Sequence, residues 1–331
     1  MMNKRTFGKF ALVATVAAVL VACGKKEEAA PAAAGAATEL TVAYITNGNT
    51  NEGWTLINGG AKAAGAAAGV KFIELAAEKG ELSKQLAIVE DMITRKVNAI
   101  AIAPVDSAGI APAINKALAA GIKVVAVDTG ITGADITSYV ATDNILAANV
   151  QGKWAATQIQ DGDTVIYVTG DQGQSTGQER KKGFVDALNA DRKNVKIVEV
   201  PTTWDQTMAQ NGVEAALRAN PKAKVIACAW DGGALGAKAA LMAAGKKPGD
   251  IKIAGFDGSP GGLDMMKEGW QQANAAQMLA KIGQVGVETA IAAAKGQPVE
   301  KRIDTGSFLV LPENVDQFAQ DSGVGQFMKS K

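Results

Sequence analysis

From residue 40 onward, short apolar runs alternate with longer stretches that carry apolar residues every three or four positions. Residues 40–45, 70–75, 99–103, 123–127 and 139–141 read as strands, and 53–68, 82–95 and 109–120 read as the helices between them. Such alternation predicts parallel strands joined by helical crossovers that cover both faces of a sheet. The rhythm restarts with a helix over 145–159. Strands follow near 164–169, 196–200, 224–229, 251–256 and 273–276. The matching helices fall near 178–189, 206–219, 235–244, 262–267 and 279–294, before an extended tail over 302–311. Ten or more strands strain a single twisted open sheet. The predicted fold class is therefore α/β, with two doubly wound halves. No Pro- or Gly-rich linker interrupts the midpoint, so several short crossings are expected rather than one tether.

Composition removes some functions. The chain contains no histidine, which takes away the commonest general base and metal ligand. Its 34 basic and 33 acidic residues are interspersed, and nothing in that balance favours nucleic acid. Two cysteines, Cys23 and Cys228, do not make a disulfide framework. Cys228 alternates with small apolar residues in a predicted strand and reads as an inert core thiol.

The first 39 residues are not expected to be part of the fold. Lys4, Arg5 and Lys9 precede an apolar run over 10–22, short for a membrane span and right for a signal peptide. The run ends Leu20-Val21-Ala22-Cys23, which resembles the lipobox of bacterial lipoproteins. The resemblance implies removal of residues 1–22 and lipidation of Cys23. Residues 23–39 have no branched apolar or aromatic side chain in their Ala-rich, charged stretch from Gly24, and read as a disordered tether.

The loops after the strands carry the polar and aromatic signal. In order they contain Asn47, Asn51 and Trp54; Pro104 to Ser107; Asp128 and Thr129; Thr142 to Asn144; the turn Gly170-Asp-Gln-Gly-Gln-Ser-Thr-Gly-Gln-Glu-Arg180; Trp204-Asp205; Trp230-Asp231; and Gly255-Phe-Asp257-Gly258. In open α/β sheets ligands bind at this edge. The order and spacing resemble periplasmic sugar-binding proteins related to ribose-binding protein, over about residues 40–312.

The resemblance implies the type I periplasmic binding protein fold, with Rossmann-like lobes joined near 142–143, 276–277 and 304–306. One lobe would hold residues 40–142 plus 278–305, the other 143–277 plus 306–331. It implies a substrate-binding lipoprotein of an ABC importer, without enzymatic activity, cofactor or metal. It would be exported, anchored by lipid to the cell membrane and monomeric. Its partners would be a small sugar or polyol, an ABC permease in the inner membrane and a chemoreceptor, with no nucleic acid.

It also implies ligand contacts from Asn47, Asn51, Trp54, Asp128, Thr129, Arg180, Trp204, Trp230, Asp257 and Gln277. Sugar rings need polar groups at the edge and aromatic faces on the flats, and this set supplies both. Each residue also has a structural reading. The aspartates suit helix N-caps, the amides suit turns, Arg180 suits a solvated ion pair, and the tryptophans suit core packing. Two departures stand out. Ribose-binding relatives carry arginine at the Thr129 position and asparagine at the Trp230 position, so a different pentose, a hexose, a polyol or a cyclitol is expected.

Other readings compete. A nucleotide enzyme would need G-x-G-x-x-G at the first strand or a G-x-x-x-x-G-K-[ST] loop, and the chain has neither. A sugar-responsive repressor would need a basic helix-turn-helix where the leader and tether lie. A receptor for a furanosyl signalling molecule or a non-sugar ligand, feeding chemotaxis or sensing, would need nearly the same cleft.

Overall fold

The computed structural model describes residues 39–329. The leader, Cys23 and the tether up to residue 38 lie outside the described residues. Two six-stranded sheets form the frame. The first contains β1 (Thr41–Thr46), β2 (Lys71–Ala76), β3 (Ala99–Ile102), β4 (Lys123–Val127), β5 (Ser138–Ala141) and β11 (Arg302–Asp304), in the order β11-β5-β4-β3-β1-β2. All its pairings are parallel. The second contains β6 (Thr164–Val168), β7 (Lys196–Val200), β8 (Val225–Cys228), β9 (Lys252–Asp257), β10 (Ala273–Gln277) and β12 (Ser307–Val310), in the order β12-β10-β9-β8-β6-β7.

The inner strands β3 and β8 are apolar along their whole length because helices cover both their faces. β3, for example, is Ala-Ile-Ala-Ile with every residue buried. Cys228 closes β8, fully buried, and burial pushes its thiol well above the usual range.

The chain passes from the first sheet to the second after β5, entering α4 (Asn144–Thr157). It returns from β10 through Met278 into α9 (Leu279–Ala294), which packs on the first sheet. The tail, read as one extended segment, divides between the sheets as β11 and β12, linked by Thr305 and Gly306. β12 runs antiparallel to β10, unlike every other pair. The direction follows from the connection. β11 ends at the cleft edge, so the strand that continues directly into the second sheet must run away from that edge. Gly306 takes φ +89°, a conformation that costs glycine little. Asp304 fastens the crossing: its Oδ1 accepts from the backbone N–H of Asp143 at 3.0 Å and of Gly306 at 2.9 Å.

Helix α1 (Glu52–Ala67) crosses α9 with backbone in contact. A Cβ on Gly60 would lie 1.9 Å from the Ala280 carbonyl oxygen, and one on Gly283 would lie 1.8 Å from that of Ile57. Gly283→Ala is therefore expected to lower the unfolding free energy by about 2–3 kcal/mol, as forced overpacking does. Gly59→Ala has open space around it and should stabilise by about 0.5–1 kcal/mol through helix propensity. Urea unfolding of the two variants checks the pair; a harmless Gly283→Ala would mean the helices do not meet this closely.

Candidate ligand-binding site

The carboxyl ends of the parallel strands from both sheets face one small cavity. The backbone around it is strained. Among the described residues five non-glycines have positive φ, and three of them line the cavity: Asp128 at 63°, Trp204 at 63° and Asp257 at 106°. Such conformations cost on the order of 1–3 kcal/mol each and persist where surrounding bonds impose them. For Asp128 those bonds form a three-residue turn, in which Thr129 N–H donates to the Val127 carbonyl at 2.7 Å while Asp128 N–H donates to Val140 at 2.9 Å. For Asp257, the next N–H, that of Gly258, donates to Asn274 Oδ1 at 2.9 Å. Buried Asp231 holds this turn from behind, accepting from Ser259 N–H at 2.8 Å and from Asn274 Nδ2 at 2.6 Å. Burial first, then the Asp257 charge, push the Asp231 carboxyl well above its ordinary range.

Arg180 is the centre of the polar network. It sits on α5 (Ser175–Asp191) and is 4% exposed. Its Nη1 donates to Asp257 Oδ1 at 3.0 Å and to the Ala229 carbonyl at 2.8 Å, while Nε donates to Asn144 Oδ1 at 2.8 Å. Its Cζ lies 4.0 Å from the Phe256 ring centroid. Gln277 Nε2 donates to the same Asp257 oxygen at 2.7 Å. Asp257 Oδ2 and Gln277 Oε1 are left without protein donors among the described residues. Asp128 spends one oxygen on the Thr129 hydroxyl at 3.0 Å. The cavity thus presents spare acceptors, as a ligand rich in hydroxyls requires.

Burial raises the Asp257 carboxyl from its ordinary 3.8 to about 6; Asp128 adds to the rise, and the Arg180 charge and the Gln277 amide oppose it. Asp128 is also raised by burial, against the pull of Arg180 and the Thr129 hydroxyl.

Aromatic faces supply the other half of the wall. Trp54 enters from the first turn of α1, whose N-cap is Asn51, with Oδ1 accepting from Trp54 N–H at 3.0 Å. Trp204 and Trp230 meet edge to face, with centroids 5.4 Å apart and planes at 89°. Glycine at 170 permits this, since a Cβ there would lie 1.9 Å from Trp204 Cη2.

Eight of the ten expected residues line the cavity: Asn51, Trp54, Asp128, Arg180, Trp204, Trp230, Asp257 and Gln277. Two do not. Asn47 accepts from Asn49 N–H at 3.0 Å and stays outside the cavity lining, while Asn49, which accepts from Asn51 N–H at 3.0 Å in the same way, borders the cavity. Thr129 is fully buried because the tight turn centred on Asp128 directs it into the protein. Its hydroxyl meets the cavity lining only through its bond to Asp128. The sequence reading passed over Asn49, Ile57, Gln174, Thr176 and Leu279. Ile57, three residues after Trp54 on one helix face, carried a periodic signal; the polar residues of the Gly-rich turn carried none.

The two halves touch across the cleft. Ser107 N–H donates to the Gly173 carbonyl at 3.0 Å, Ser175 N–H to Ser107 Oγ at 2.9 Å, and Gly130 N–H to Ser175 Oγ at 2.8 Å. On the other side Gly261 N–H, in the first turn of α8 (Pro260–Lys267), donates to Glu52 Oε2 at 2.7 Å. The lobes are therefore apposed in a closed arrangement.

Two mostly parallel α/β lobes, joined by three crossings and closed over a polar, aromatic-walled cavity, define the type I periplasmic binding protein architecture. Residues 42–298 match the periplasmic binding protein domain family, and the chain belongs to it, among the sugar-binding proteins related to ribose-binding protein. The ribose import binding protein of Salmonella typhimurium is 31% identical over 86% of this chain and 95% of its own length. An ABC transporter solute-binding protein from Bacillus halodurans, solved with myo-inositol, superposes with TM-score 0.81 at 26% identity, covering 86% of this chain and 99% of that one. One from Actinobacillus succinogenes, solved with D-allose, gives TM-score 0.78 at 27% identity, covering 84% and 100%.

Proposed function

We propose that this protein captures a monosaccharide or related polyol between its lobes and hands it to an ABC permease, performing no covalent chemistry. One observation carries the reading. Asp128, Arg180, Asp257 and Gln277 converge on a single cavity walled by Trp54, Trp204 and Trp230. Charged hydrogen bonds at a ring edge contribute about 1.5–3 kcal/mol each when desolvated. Indoles exclude water from the apolar C–H faces. The relatives were named for, or solved with, ribose, allose and myo-inositol, so the family supports the class of ligand and leaves its identity to this chain's own wall. Trp230 in that wall favours a ligand with an extended apolar face over ribose.

In this proposal the lobes are residues 40–142 plus 278–305 and residues 143–277 plus 306–331, closing about the three crossings. Ligand contacts to both lobes favour the closed form by their differential affinity. Export, and lipid attachment at Cys23 with residues 24–39 as a tether, would hold a monomeric receptor beside its permease and raise its local concentration.

Tryptophan fluorescence and thermal shift on the lipid-free protein from Thr38 onward test the reading, against pentoses, hexoses, polyols, cyclitols and furanosyl compounds. A saturable response to one compound, lost in Asp257→Ala, is expected. Silence across the whole panel would overturn the sugar assignment.

A further inference from the structure

Gln174 spends both ends of its side-chain amide, and the two ends lead to opposite sides of the cleft. It stands immediately before α5, at the N-cap position, yet its side chain caps nothing. Its Oε1 accepts from the Trp204 indole N–H at 2.8 Å. Its Nε2 donates to the carbonyl of Val105, in the loop after β3 of the other sheet, at 3.0 Å. The partners fix the amide's orientation, since an indole N–H can only donate and a backbone carbonyl can only accept. A flipped amide would lose both bonds. The side chain is 6% exposed, so neither end has free access to water as a substitute.

We infer that Gln174 is a positioning residue that couples lobe closure to the orientation of the Trp204 face of the cavity. The inference rests on reading that cavity as the ligand site. In the closed form, Val105 orients the amide, and the amide holds the indole. When the lobes part, the Val105 carbonyl withdraws and the amide is free to turn, so Trp204 loses its fixed acceptor. The linkage runs both ways. An indole held by a ligand presents its N–H to Oε1, aims Nε2 at the opposite lobe, and so favours closing. Trp204 is a suitable relay. It is held at φ 63°, sits edge to face with Trp230, and its ring centroid lies 5.7 Å from the Arg180 guanidinium carbon. The neighbouring backbone bonds from Ser107 N–H and Ser175 N–H close at the same place, so the amide joins an interface already ordered by closure.

The test needs no sugar, so its result is independent of which compound the protein binds. Glu52 and Gly261 meet across the cleft only when it is closed, and a Cβ at 261 would approach the very carboxylate that a cysteine at 52 removes. In full-length protein with Cys23→Ser, Glu52→Cys and Gly261→Cys, the rate of cross-linking by a short bifunctional thiol reagent reports the closed population, even when that population is small. Cys228 is fully buried. Gln174→Leu should cross-link about fivefold more slowly, the effect of losing one ordinary hydrogen bond. Gln174→Glu keeps the acceptor for Trp204 and sets a carboxylate oxygen against the Val105 carbonyl in place of the donor, so it should slow the reaction at least as much as Gln174→Leu. Trp204→Phe retains a ring and removes the N–H. In that background Gln174→Leu should slow cross-linking by less than about twofold, because the amide is no longer oriented. Unchanged rates in Gln174→Leu and Gln174→Glu would overturn the inference. So would an equal slowing with and without the Trp204 N–H, which would leave Gln174 as a bridge between lobes with no link to the cavity wall.

Discussion

Arg180→Met should lower the unfolding free energy of the ligand-free protein at pH 7 by about 3–5 kcal/mol, the usual cost of stripping one partner from a buried ion pair. Methionine replaces much of the side chain's volume, so packing alone does not account for the loss. Arg180 and Asp257 are 5% and 13% exposed in their side chains. Without the guanidinium, Asp257, Asp128 and the Ala229 carbonyl face one another with no positive charge among them, and Asn144 loses a donor. Two accompanying results identify the cause. The deficit should shrink as pH falls, because the orphaned carboxyls can then take protons. The double variant Arg180→Met, Asp257→Asn should recover a large part of the loss, because no unpaired charge remains at that position. Urea unfolding at pH 5 and pH 7 measures all three. Equal deficits at both pH values, with no recovery in the double variant, would point to lost packing instead of stranded charge.

The second large effect is a pH dependence with opposite signs for folding and binding. The Asp257 carboxyl titrates near 6 in the folded protein against an ordinary 3.8. At about 1.4 kcal/mol per pH unit, a rise of roughly two units corresponds to about 3 kcal/mol. A carboxyl raised by folding prefers its proton in the folded state. Its stabilisation is therefore fully present below the unfolded value, near 4, and is lost as pH rises through about 6. The stability of the wild type relative to Asp257→Asn should fall across that window and level off above it. Asp128 and Asp231 are raised in the same direction and add to the fall in the whole protein. A hydroxyl-donating ligand prefers the ionised acceptor, so affinity should weaken by up to about tenfold for each pH unit below about 6. Thermal unfolding and titration of a responsive sugar across pH 4–8 read the two slopes. Slopes of the same sign would mean that the ligand does not donate to an ionised Asp257.

How much of this was legible in the chain differs from element to element. β3 and β4 could be read within a residue of their ends, since a strand covered on both faces must be apolar along its length. α7 (Asp231–Ala243) begins four residues before the expected start at 235, because glycines at 232 and 233 weaken a helical pattern. Tertiary packing explains them: a Cβ at either position would press on the Trp230 ring. The tail over 302–311 showed extended character, but nothing local divides it between two sheets. Asp304 and Gly306 make that division through partners over 160 residues away in sequence, at Asp143, and through a positive φ.

The sequence by itself determined the two α/β lobes, their alternation of strand and helix, and the loops where polar and aromatic residues gather. These follow from which side chains must leave water, and that demand repeats along the chain with a short period. Only the tertiary structure decided which atoms face the cavity. Asn47 and Asn49 lie two residues apart with the same chemistry, and each accepts from the N–H two residues on, yet only Asn49 borders the cavity. The strained backbone of Asp128 and Asp257, the shared oxygen between Arg180 and Gln277, and the Gln174 bridge across the cleft depend on contacts between distant segments. No local preference favours those conformations, and several oppose them, so they exist only where the assembled lobes supply enough hydrogen bonds to hold them.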